Sequence, residues 1–64
     1  MWIARDKDGI LGFYFNKPIK GINEWSPMFE DENYVAVDSN MFPEVKWEDE
    51  EPRELVLKPI KEED

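Results

Sequence analysis

The side chains best suited to chemistry near neutral pH are missing from this chain, which has no histidine and no cysteine. A general base and a thiol nucleophile are therefore both lacking. Only two serines occur, Ser26 ahead of Pro27 and Ser39 in a segment suited to capping, and neither has a triad partner in view. Sixteen acidic residues among 64 guarantee that some carboxylates lie near others, so a carboxylate pair alone does not point to glycosidase chemistry. A non-enzymatic protein with no cofactor is expected. Asp6-Lys7-Asp8-Gly9 has the look of the start of a calcium loop, but an EF-hand needs glycine sixth and Glu twelfth, and Lys17 stands twelfth here. A hairpin turn accounts for the same residues without a metal. Glu48-Asp49-Glu50-Glu51 reads as a solvated, self-repelling loop.

Binding chemistry is better represented. Trp2, Tyr14, Trp25, Tyr34 and Trp47 are the ring types that anchor interfaces, because they cover large area with few rotors to freeze. Trp25 and Trp47 each sit beside an acidic or Pro-containing segment. With Tyr34 they are the expected anchors of an aromatic patch, and Glu48, Asp49, Glu50 and Glu51 would steer a basic protein partner toward it. Two alternatives compete: an acidic nucleic-acid mimic that inhibits a DNA-binding protein, and a structural homodimer that buries the same rings.

Charge narrows the choice. The net charge is −8, with residues 1 to 29 at +1 and residues 30 to 64 at −9. Phosphate recognition needs clustered Lys and Arg, so direct nucleic-acid binding is disfavoured. Anionic membrane surfaces are disfavoured for the same reason. The acids at 30–32, 48–51 and 62–64 would be the phosphate surrogates of a mimic.

These residues must be positioned by an all-β fold, since no stretch keeps helical periodicity beyond one turn. Trp2 to Arg5 and Ile10 to Phe15 flank Asp6-Lys7-Asp8-Gly9, whose terminal Asp and Gly suit a type I turn closed by a glycine bulge. That hairpin pairs Asp6 with Ile10, Ala4 with Gly12 and Trp2 with Tyr14. Ile3, Leu11, Phe13 and Phe15 share one face, and Trp2, Ala4 and Tyr14 line the other. Gly12 marks the close approach of another backbone or ring. Residues 17 to 24 read as a loop, Trp25 to Phe29 as a short edge strand limited by Pro27, and Tyr34 to Val37 as a strand. Residues 39–42 read as one helical turn ended by Pro43. Val45 to Trp47 and Arg53 to Lys58 read as extended segments. The expected architecture is one antiparallel sheet of four to five strands, or its curled form, a half-open SH3-like barrel. Residues 1–58 form one domain with the hairpin at 2–15, and 59–64 form a frayed acidic tail.

A chain this short buries only about 60% of its unfolded surface. With no disulfide or zinc ligands, its nine aromatic residues must supply much of the core. Met1-Trp2-Ile3-Ala4-Arg5 has neither the basic leader nor the apolar run of a signal peptide, and cytoplasmic location is expected. Residues Ile3 to Gly9, Phe15 to Pro18 and Met41 to Pro52 together resemble a set of short proteins from gut anaerobic bacteria and their phages or mobile elements. The resemblance implies a small stand-alone accessory protein and carries no catalytic or binding residues with it.

Overall fold

The computed structural model describes residues 1–56 and contains β-strands and turns with no helix. Its six strands are β1 (Trp2–Arg5), β2 (Leu11–Tyr14), β3 (Ile19–Lys20), β4 (Trp25–Ser26), β5 (Val35–Val37) and β6 (Arg53–Glu54). One sheet is four-stranded, in the order β5-β2-β1-β6 with every neighbouring pair antiparallel, and β3 and β4 form a separate two-stranded ribbon.

The hairpin has the expected register, Trp2 opposite Tyr14 and Ala4 opposite Gly12. Asp6 N–H donates to Ile10 O at 2.8 Å and Gly9 N–H to Asp6 O at 2.9 Å, while the Asp8 carboxylate accepts Ile10 N–H at 3.1 Å. Gly9 has φ of 98°, a conformation that a side chain would resist, which is why glycine closes the turn.

Alternation along β1 decides how the rest of the chain packs. Ile3 and Arg5 point to one face of the sheet, and Trp2, Ala4 and Asp6 to the other. Apolar side chains lie on both faces, so both must be covered. On the first face, Ile3 and Leu11 are buried with Val45, and Phe13, Val37, Phe42 and Leu55 pack around them. On the second, Ala4 and Tyr14 are buried with Trp25, flanked by Trp2 and Trp47.

Arg5 closes the first face. Among the described residues its guanidinium donates only to backbone carbonyls: Nε to Val45 O (2.6 Å), Nη1 to Gly9 O and Ser39 O (both 2.9 Å), and Nη2 to Met41 O (3.1 Å) and Phe42 O (3.2 Å). Asp6 closes the second face by accepting Trp25 N–H at 2.8 Å.

Two expectations are corrected. The helical turn at 39–42 is a β-turn: Met41 N–H bonds to Asp38 O at 3.0 Å and the Asp38 carboxylate accepts Asn40 N–H. Phe42 then takes φ of 51°, which breaks any helical run and lets its ring meet Phe13 edge-on at 6.2 Å. The loop expected at 17–24 contains β3, which pairs Ile19 with Ser26 and Lys20 with Trp25. The expected antiparallel sheet of four strands is present, with β5 and β6 its edges among the described residues and the β3–β4 ribbon a separate sheet. Leu57 and Lys58 of the last extended segment, and the tail 59–64, lie outside the described residues.

Candidate docking groove

The β3–β4 ribbon is short because its sequence allows little more. Pro18 precedes it, Gly21 turns it by donating to Glu24 O at 2.8 Å, and Pro27 ends it. It is held against the sheet by a tryptophan. Trp25 is only 4% exposed, and its backbone carbonyl accepts the Tyr14 hydroxyl at 3.2 Å. Its indole Nε1 is buried and has no hydrogen-bond partner among the described residues. Burial pushes the Tyr14 hydroxyl's pKa well above its ordinary value, with Asp6 adding repulsion. Burial likewise raises the Asp6 carboxyl, against the bond from Trp25 N–H, while Asp8 and Glu24 raise it further.

Lys20 joins the ribbon to the acidic loop. Its ammonium lies 4.3 Å from the Trp47 ring centroid and 5.7 Å from that of Trp25. It also donates to Trp47 O at 2.7 Å and Asp49 O at 2.9 Å. A cation between two rings and two carbonyls is satisfied without any carboxylate. Lys17 makes the second link, 2.8 Å from a Glu51 carboxylate oxygen and 5.7 Å from the Trp2 centroid.

Between these links runs a groove of about 290 Å³. Pro18, Ile19, Met28 and Pro52 give it an apolar lining over Trp25, and Lys17, Lys20, Glu50 and Glu51 stand along it. Ile19 and Met28 remain largely exposed, whereas Pro18 and Pro52 are buried. The arrangement offers an apolar trough with two lysines and two glutamates beside it, suited to an extended segment rather than to a small molecule enclosed on all sides.

The expected site residues divide. Trp25 is core under the groove, not a free anchor, because the Trp2, Ala4 and Tyr14 face of the sheet needed a cover. Trp47 is half-buried against Lys20. Tyr34 is 41% exposed and lies off the groove, stacked on Tyr14 with centroids 5.3 Å apart. The Asp49 carboxylate accepts Lys46 N–H at 3.1 Å and lies 3.4 Å from Arg53 Nε. Glu48 is exposed and does not line the groove, while Glu50 and Glu51 do. The lining residues Lys17, Pro18, Ile19, Met28 and Pro52 were not singled out in the sequence, where Pro18 and Gly21 disguise the ribbon as a loop. The two prolines bracketing the trough were the available signal.

Among the described residues, no helix is long and apolar enough to cross a membrane, and no group of three or more metal-ligating side chains converges. Comparison with family models, curated proteins and solved structures returns no match.

Proposed function

We propose that this protein is a non-enzymatic, cytoplasmic protein-binding module that docks an extended basic segment of a partner in the groove over Trp25. The carrying observation is the trough itself, with exposed Ile19 and Met28 on the apolar lining and Glu50 and Glu51 beside it. Apolar contact would supply the affinity, and the acidic half of the chain would raise the rate of encounter. Glu48 and Glu50 form no ion pair among the described residues, which leaves them to attract a basic partner.

The test compares the wild-type protein with Ile19→Asp and Met28→Asp, two exposed positions. Each tagged protein is used for capture from native lysate at low and high salt, read by mass spectrometry. One dominant protein retained by wild type at high salt and lost by both variants supports the groove. Equal capture by all three removes it, and a DNA-binding enzyme released at high salt would favour nucleic-acid mimicry instead.

A further inference from the structure

We propose that β5 is a self-pairing edge, and that two copies of this chain join antiparallel along it around a two-fold axis at Ala36. Hydrogen-bond parity in the hairpin sets which backbone groups face β5. Asp6 N–H bonds to Ile10 O, so Asp6 and Ile10 are a hydrogen-bonded pair, and alternation makes Ala4 and Gly12 the next. Gly12 therefore directs its amide and carbonyl toward β1. Leu11 and Phe13 direct theirs toward β5, where they meet Val37 and Val35. Phe15 has the same parity, and its N–H is indeed taken from the β5 side, by the Glu32 carboxylate at 3.1 Å. Ala36, opposite Gly12, is left with its N–H and C=O pointing away from the sheet.

Edges of this kind are ordinarily guarded by proline, lysine or a bulge. At the opposite edge, β6 is preceded by Pro52 and carries Arg53, which bonds to Glu44 O at 2.8 Å and pairs with Asp49. β5 reads Val35-Ala36-Val37 and has no such guard.

The occupant follows from the strand's fit to itself. Pairing about Ala36 lets each Ala36 N–H donate to Ala36 O of the second copy, with the smallest side chain of the strand on the axis. Val35, 57% exposed, then lies opposite Val37 of the second copy in a close, non-hydrogen-bonded pair. Tyr34 falls opposite Asp38 of the second copy, so no like charges face each other. The interface is isologous, as a two-fold dimer requires. The groove contains no β5 residue, so the two surfaces work independently and a dimer would present two grooves.

Sedimentation equilibrium on the full chain tests this together with three variants. Wild type should move from the mass of one chain toward twice that mass as concentration rises. Ala36→Pro removes the outward N–H without breaking a bond to β2, so it should keep a wild-type circular dichroism spectrum and stay at one chain. Should that variant unfold, Val35→Lys takes its place, with the same loss of dimer expected. The chain has no native cysteine, so Ala36→Cys supplies a lone thiol. A hydrogen-bonded pair spaces Cα atoms about 5.5 Å apart, within disulfide range. Oxidised Ala36→Cys should cross-link into a dimer well ahead of Glu44→Cys, placed on an exposed turn. A wild type of one-chain mass at every concentration overturns the proposal. So does a folded Ala36→Pro or Val35→Lys that still dimerises, or equal cross-linking of the two cysteine variants. Ile19→Asp should leave the mass unchanged, which separates this result from the fate of the groove.

Discussion

The Tyr34 ring occupies the space where a side chain on Gly12 would be. A Cβ built on Gly12 comes within 2.7 Å of Tyr34 Cδ2 and 3.2 Å of Cε2, and the same ring stacks on Tyr14 at an interplanar angle of 20°. Glycine in the middle of β2 is therefore what allows the ring to lie flat on the sheet.

Gly12→Ala should push Tyr34 off Tyr14 and destabilise the protein by about 1–3 kcal/mol, the usual cost of overpacking. In a Tyr34→Ala background the same change should cost much less. Urea denaturation of the four proteins of this double-mutant cycle measures the coupling. Equal costs in both backgrounds would show that the ring is not the obstacle.

Among the described residues, Arg5 serves five carbonyls and no carboxylate. Arg5→Lys keeps the charge but loses the planar fork that reaches the 39–45 loop from three nitrogens. A loss of about 1.5–3 kcal/mol is expected, that of one charge-assisted bond left unmade. Amide exchange should quicken most at Met41 and Val45, whose N–H groups bond within that loop.

Asp6 and Glu32 should tilt the pH dependence in opposite directions. The Asp6 carboxyl is raised above 3.8, so the native state holds its proton to higher pH than the unfolded chain does. Its contribution is fully present below the unfolded value and is lost as pH rises through the folded one. Asp6→Asn keeps an oxygen for Trp25 N–H and removes that slope, so it should be more stable than wild type at pH 7. Asp6→Ala orphans a buried N–H and should cost about 1–3 kcal/mol. Glu32 is held below 4.5, first by the Asn16 backbone N–H and then by the Asn16 side chain and Phe15 N–H. Its contribution is present above the unfolded value and fades as pH falls, so Glu32→Gln should flatten the acid limb. Denaturation midpoints from pH 3 to 8 read both slopes.

The tryptophans should separate sharply. A 64-residue domain has about 3–10 kcal/mol of stability at the usual per-residue value. Trp25→Ala should cost about 3–5 kcal/mol, a large share of that stability. Trp47→Ala removes a half-buried ring and should cost clearly less. Urea denaturation measures both, and equal losses in the two variants would contradict the burial of Trp25.

Lys20→Met should release the acidic loop, since it deletes two carbonyl bonds and the cation over Trp47. About 1–2 kcal/mol is expected, together with a red shift of Trp47 emission and faster proteolysis at 47–51.

The sequence by itself determined what is local. Asp6-Lys7-Asp8-Gly9 specified its turn, and the turn specified the register of Trp2 to Tyr14, because a three-residue loop with a glycine bulge permits one pairing. Gly12 in a strand signalled a close neighbour, and period-two alternation placed apolar residues on both faces of the hairpin. Which segments cover those faces was decided only by the tertiary structure. Trp25 is core because the Ala4 and Tyr14 face had to be shielded, and nothing near residue 25 in sequence records that demand. Nothing in the local sequence marks Arg5 or Lys20, yet each binds carbonyls 27 to 40 residues away. Lys20 thereby fixes the Trp47 loop beside the groove. A groove assembled from the ribbon and residues 50–52 depends on such long-range contacts, which local propensity does not encode.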